Sequence, residues 1–444
     1  MEPFRLTATD VLKEIKAGKL TVEDYAKSLL SRIEKRDDQV KAWAYLNPEL
    51  VIKQAKVLDQ IPPDQRGPLH GVAVGVKDVI YTKDMPTEHN SPIYAGDAPQ
   101  VDAASIMILR QAGALILGKT TTTEFAATVQ GPKTHNPHAP FRTPGGSSSG
   151  SGAAVGDFQV PIALGTQTGG STIRPGSFNG IYAMKPTWGA ISREGQKIYS
   201  LILDTLGLYA RSVEDLQLLA EVFALKDDEP SSTEGRIESG FTLKGAKFAL
   251  VKTVVWPQVG PGTAAAMEKA VKLLEAHGAE VEEVALPREF DELPSWHRSI
   301  MSADGRVAFL PEHRVAKEIL DESLVGHVEN VKKISRADQL KAFDGIAALR
   351  PKIDELAGQY AAIITPSVPD EAPEGIERTG SAAFCSIWTA LHVPVVNVPG
   401  FQGSNGLPIG LSLVAPRYRD QHLLAVCKEV GKVFGEEGGW KSSL

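Results

Sequence analysis

The sequence predicts an α/β protein built on a largely parallel or mixed sheet. Two observations carry that expectation. Short β-branched or aliphatic runs of strand length recur along the chain, and apolar segments of helical period stand between them. Strands that alternate with helices need crossover connections, which favour parallel or mixed pairing.

The elements follow in order. Thr7 before Asp10 and Thr21 before Asp24 resemble helix N-caps. After the second, Val22, Tyr25, Ala26, Leu29 and Ile33 recur at helical spacing, as expected of a packed surface helix. From Leu69 the texture changes: Val72 to Val76 is a short run that ends at Lys77-Asp78, a buried strand delivering a lysine at its tip. Ala103 to Gln111 reads as a helix and Ala114 to Lys119 as a second strand. Residues 131 to 152 are Pro-rich, polar and then Gly/Ser-rich, so a loop is expected, with a helix starting at Ala153. Val160 to Thr166 is a strand running into Thr168-Gly169-Gly170-Ser171. Lys226 to Thr233 is a polar linker, followed by a β-α-β excursion: strand Lys247 to Val255, helix Ala264 to His277, strand Val281 to Leu286. Ala361 to Pro366 and Val395 to Val398 are further strands. No internal repeat is visible. One domain spanning residues 1–444, with an inserted lobe at about 226–345, accounts for this order.

Composition narrows the function classes. The chain of 444 residues is 42% hydrophobic and 23% charged, as in ordinary globular enzymes, and its formal charge of −7 lacks the basic footprint of a nucleic-acid binder. The two cysteines, Cys385 and Cys427, form no C-x-x-C pair, which suits a reducing compartment. The N-terminal residues lead into an amphipathic segment, and no run is long and apolar enough to cross a bilayer. A cytoplasmic protein with no membrane partner, monomeric or homodimeric, is the expectation.

The Gly/Ser-rich loop allows three readings. A phosphate cradle needs Lys then Ser or Thr after its second glycine, and Gly150 is followed by Ser151. Gly146-Ser147-Ser148-Ser149-Gly150 matches the nucleophile elbow of α/β-hydrolases, but the elbow must follow an apolar strand, and Phe141-Arg142-Thr143-Pro144 cannot supply one. The third reading joins the loop to Lys77 and Ser171. A serine hydroxyl needs a base, and a desolvated lysine can serve because burial pushes its pKa toward neutrality. A strand-to-turn step through Gly169 and Gly170 can aim successive N–H groups at one point, as an oxyanion requires. Taken singly, Lys77 reads as a solvated strand-end lysine and Ser171 as a spectator in a tight turn.

Together these stretches resemble the amidase signature family. Pro68 to Asp78, Thr143 to Ser151 and Gly165 to Ser171 carry the likeness, with the two serines 24 positions apart. It extends through Gly118-Lys119-Thr120, Met184 to Gly189, Asp204 to Gly207, Ala210 to Asp215, Thr365-Pro366 and Gly406 to Gly410, so it covers about residues 5–435. The resemblance implies a large mixed, mostly parallel central sheet covered on both faces by helices. It makes Ser171 the nucleophile, Ser147 the proton-relaying serine behind a cis peptide, and Lys77 the base, with the amides of Thr168, Gly169, Gly170 and Ser171 holding the oxyanion. It implies no metal and no cofactor.

Two departures stand out. Gln167 replaces the Asp that many members carry, and Arg174 lies three residues after Ser171. Arg174 either faces the pocket, to pair with a substrate carboxylate or carbonyl, or forms a structural ion pair beneath the loop. Tyr199 and Trp388, with Phe384 and the loop Tyr81 to Tyr94, are expected to shape the pocket. His70, His135 and His138 form no H-x-x-x-H or H-E-x-x-H pattern and are read as loop supports, and the absence of S-x-x-K argues against a penicillin-binding type of Ser–Lys enzyme.

The resulting expectation is a metal-free serine hydrolase cleaving C–N bonds of small linear amides, with aryl amides, esters and carbamates (urethanes) in range. Two alternatives share the fold: the glutamine-amidase subunit of a tRNA amidotransferase, and a non-catalytic binding protein.

Overall fold

The computed structural model describes residues 2–227 and 240–444. The linker expected at Lys226 to Thr233 lies, from residue 228 onward, outside the described residues. Strands β1 (Trp43–Leu46), β2 (Ala73–Lys77), β3 (Leu115–Thr120), β4 (Ile162–Gln167), β5 (Tyr182–Lys185), β6 (Thr205–Ala210), β7 (Lys247–Val251), β8 (Glu280–Val284), β9 (Ala362–Pro366), β10 (Val395–Gln402) and β11 (Pro408–Val414) form one sheet of 11 strands. Their order is β1-β3-β2-β4-β6-β5-β10-β11-β9-β7-β8.

The sheet is mixed, but the expectation that it is mostly parallel fails. β2 pairs in parallel with β3 and β4, and β7 with β8 and β9. The middle of the sheet, from β4 through β6, β5, β10 and β11 to β9, is antiparallel throughout. The physical reason lies in the connections. Only residues 403–407 separate β10 from β11, a hairpin distance too short for a crossover.

Both faces of the sheet are buried, and the strand period shows how. Val74 and Val76, Ile116, and Ile162 with Leu164 join the core on one face. Ala73, Leu115, Leu117 and Ala163 alternate with them and pack on the other, against Tyr25, Leu29 and Ile33 of the helix Val22–Val40. That helix begins as read, with the Thr21 side chain accepting from Asp24 N, and Thr7 caps its own helix through Asp10 N. A third core, under β7 and β9, takes Ile300, Ile346 and Trp388. No described helix is long and apolar enough to cross a membrane.

The helix expected from Ala153 starts four residues earlier, at Ser149, and runs to Gly156 with every residue buried. Glycine is a poor helix former, yet it is needed here: a Cβ on Gly150 would stand 2.1 Å from Ala42 O and 2.4 Å from Thr121 N. Close approach of this helix to the strand ends is what brings its preceding loop beside β2 and β4.

Candidate active site

The carboxyl ends of the parallel strands β2 and β4 lie side by side, where ligands gather in α/β sheets. Lys77 is the last residue of β2, and neighbours on both sides leave its side chain no path to water: it is fully buried. Its Nζ lies 2.7 Å from Ser147 Oγ and 2.7 Å from Thr166 Oγ1. Both partners are neutral hydroxyls, so nothing in contact offsets lost hydration, and burial drives the ammonium well below its ordinary range. The Asp204 carboxylate pulls it back up, and the Arg174 guanidinium adds to the depression. In the neutral amine, the lone pair accepts from the Ser147 O–H and an N–H donates to Thr166 Oγ1, which fixes the rotor.

Ser147 is held by its loop. Gly145 takes φ +82°, a conformation that favours glycine, and the Gly146–Ser147 peptide is cis. The Gly146 carbonyl accepts from Arg174 Nε at 3.1 Å and also from Nη2, while Arg174 Nη1 donates to Gly380 O at 2.6 Å. Ser149 Oγ closes the loop on Gly145 O at 2.7 Å.

Ser171 follows β4 through a turn whose carbonyls are pinned from outside. Thr168 Oγ1 donates to Asp204 Oδ1 at 2.6 Å, and His297 Nε2 donates to Thr168 O at 2.8 Å. A carbonyl only accepts, so this contact fixes the His297 proton on Nε2, and burial pushes the ring down to about 4, leaving it neutral. Thr389 Oγ1 donates to Gly169 O at 2.7 Å and accepts from Gln167 Nε2 at 3.0 Å. Gln167 Oε1 in turn accepts from Thr172 N at 2.8 Å and Ile173 N at 3.0 Å. A trans peptide sets N–H opposite C=O, so pinning the carbonyls of residues 168 and 169 aims the amides of Gly169 and Gly170 the other way. Among the described residues, no protein acceptor takes the N–H of Gly169, Gly170 or Ser171. A Cβ on Gly170 would stand 3.0 Å from Cys385 Sγ, a tight contact that would require Ala382 or Cys385 to shift.

The arrangement can deliver a proton path and an anion site to one point. Ser171 opens on a cavity of about 270 Å³ that is also lined by Thr168, Gly169, Gly170 and Arg174. Lys77 and Ser147 are in contact, whereas among the described residues no hydrogen bond joins the Ser147 and Ser171 hydroxyls. Their loops meet at Ser148 N, which donates to Ser171 O at 3.4 Å. Hydrogen bonds of this kind commonly tighten only when substrate binds.

The comparisons with known proteins agree in direction. The amidase family profile matches residues 24–424. The chain belongs to the amidase family. A glutamyl-tRNA(Gln) amidotransferase subunit of Symbiobacterium thermophilum is 32% identical, over 98% of this chain and 100% of that one. A crystal structure of an amidase superposes with a TM-score of 0.85 at 26% identity, over 96% of this chain and 99% of that one. The crystal structure of a glutamyl-tRNA(Gln) amidotransferase subunit from Thermotoga maritima gives 0.79 at 26% identity, over 100% and 97%.

Within this amidase-family hydrolase, two sequence expectations about the pocket are corrected. Tyr199 is buried in an aromatic cluster with Phe125 and Phe309, its hydroxyl 3.1 Å from His327 Nε2, and it does not line the Ser171 cavity. Trp388 sits in the core beneath β7 and β9 and is absent from the lining, as is Phe384. Burial of their large apolar area takes these rings to the core, and here residues 126–129 and the helix Leu293–Ala308 supply the walls instead. Of the two readings of Arg174, the pocket-facing one fits the cavity it lines, while in place of an ion pair its described partners are carbonyls that clamp the Ser147 loop. Sequence reading missed Thr166, Asp204, His297 and Thr389 as parts of the site. Thr166 and Asp204 do lie within segments that carry the family resemblance, but their partners Lys77 and Thr168 are distant in the chain.

One measurement tests the electrostatics. Burial pushes the Asp204 carboxyl up to about 6, and above that pH its charge favours the protonated form of Lys77. Asp204→Asn removes that charge while keeping an acceptor for Thr168. The acid limb of kcat/KM against pH should therefore shift to lower pH; a shift to higher pH would contradict the assigned field.

Proposed function

We propose that this chain is a metal-free serine amidohydrolase acting on small linear amides, with Ser171 as nucleophile, Ser147 as relay and Lys77 as base. The observation that carries the reading is the fully buried Lys77, whose Nζ meets the Ser147 hydroxyl at 2.7 Å with no carboxylate in contact. Neutral Lys77 takes the Ser147 proton as Ser147 takes that of Ser171, and the Ser171 oxygen bonds to the scissile carbonyl carbon. The carbonyl oxygen becomes an oxyanion on the amides of Thr168, Gly169, Gly170 and Ser171, none of which has a protein acceptor among the described residues. The lysinium returns its proton through Ser147 to the leaving nitrogen as the C–N bond breaks. Water then repeats the path and frees the acid. Esters and carbamates fit the same chemistry, and small aryl amides or carbamates suit a cavity of about 270 Å³. The two cysteines are free and buried, in keeping with work in the cytoplasm.

A second reading rests on the relatives named as glutamyl-tRNA(Gln) amidotransferase subunits. It requires glutaminase activity together with a partner chain. A hydrolysis panel of anilides, primary amides, esters, carbamates and glutamine, run beside fluorophosphonate labelling, separates the two. Cleavage of small amides by the isolated chain, with label on Ser171, is the outcome expected of the amidohydrolase. Turnover of glutamine alone, and only with a co-purifying chain, would favour the amidotransferase.

A further inference from the structure

The cavity at Ser171 is charged in one sense only. The helix Leu293–Ala308 presents Pro294, His297, Arg298 and Met301 to it, the i, i+3, i+4, i+7 stripe of one helical face. Of the described residues that line the cavity, two are arginines, Arg174 and Arg298, and none is an aspartate or glutamate. Arg298 is exposed toward the mouth, and no ion pair or hydrogen bond ties its guanidinium down among the described residues. Arg174, behind it, is buried, and its hydrogen bonds end on the neutral carbonyls of Gly146 and Gly380, so its charge is uncompensated. A neighbouring cavity shares Thr128 and Val129 with this one but mixes signs, with Asp321, Glu322 and Glu377 beside Lys332 and Arg378. An anion is therefore favoured in the cavity of the reacting serine over its neighbour.

We propose that the substrate carries a carboxylate close to its scissile amide and that Arg298 binds it, with Arg174 supplying a supporting field from the floor. The inference rests on the amidohydrolase reading. A planar carboxylate matches the free fork of an arginine in two parallel N–H···O contacts. The cation beside the bound anion also keeps that anion from drawing Lys77 toward its protonated form.

Two substrate pairs test this and locate the carboxylate. N-phenylsuccinamate against N-phenylbutyramide places it on the acyl side, and 4-acetamidobenzoate against acetanilide on the leaving side. Wild type should favour one carboxylated member by about tenfold or more in kcat/KM, with the preference shrinking as salt rises. Arg298→Gln should bring that ratio close to one, and Arg298→Lys should keep part of it. Equal turnover within both pairs, or a preference that survives Arg298→Gln, would overturn the proposal while leaving the hydrolase intact. Protection of Ser171 from a sulfonyl fluoride gives a readout that needs no turnover: benzoate should protect at lower concentration than benzamide, and equal protection counts against the proposal. No label on Ser171 and no amide cleaved would sink the hydrolase reading, and this one with it.

Discussion

Lys77→Met should lower kcat on small amides by on the order of 10⁴, because base, relay and nucleophile act as one unit. The wild-type rate should rise with pH as Lys77 loses its proton and level off below the ordinary lysine range, since burial holds the group well below it. The variant should show no such limb. Stability supplies a second, independent readout. Between the depressed pKa in the folded chain and about 10.4 in the unfolded one, the unfolded state binds a proton that the folded state does not. Stability therefore rises with pH through that window, by at most about 1.4 kcal/mol per pH unit from this group. Lys77→Met should flatten that slope, read as the difference between urea midpoints of the two proteins across alkaline pH. An unchanged slope would mean that Lys77 keeps its proton when folded, and the base would have to be sought elsewhere.

How far the sequence could lead to these atoms depends on the range of the forces that place them. The strand that delivers Lys77 was readable from local pattern, a β-branched run of strand length that ends on it, whereas singling out the lysine itself rested on the resemblance of the combined motifs. Ser147 and Ser171 were readable because glycine-rich turns announce themselves. The groups that aim the Ser171 turn were not, since each contact closes a long loop: Asp204 reaches Thr168 across 36 residues, His297 across 129, and Thr389 reaches Gly169 across 220. No periodicity in one segment reports what another presents to it. The same limit explains the sheet. Seven of the eleven strands followed from local hydrophobicity, β1, β5, β6 and β11 being missed, and the antiparallel centre depends on which distant strands pair. Tyr199 and Trp388 show a different failure. Both aromatics were expected to shape the pocket, and burial of apolar area sends the two rings to separate cores instead.

Ser171→Ala should leave amide hydrolysis lower by on the order of 10⁴ to 10⁶ and abolish labelling by fluorophosphonate, since it removes the hydroxyl assigned as the nucleophile. Ser147→Ala tests the relay separately. Lys77 Nζ touches Ser147 and Thr166 but makes no hydrogen bond to Ser171, so without Ser147 the base loses the hydroxyl proposed to link it to the nucleophile. Its loss should therefore approach that of Ser171→Ala for amides, whose poor leaving nitrogen needs the returned proton. For an activated ester, whose leaving group departs without one, Ser147→Ala should lose much less. The double variant Lys77→Met/Ser147→Ala should be no slower than the worse single one, because a broken proton path cannot be broken twice. Additive losses in that pair would show two independent functions and rule out a single chain of proton transfers.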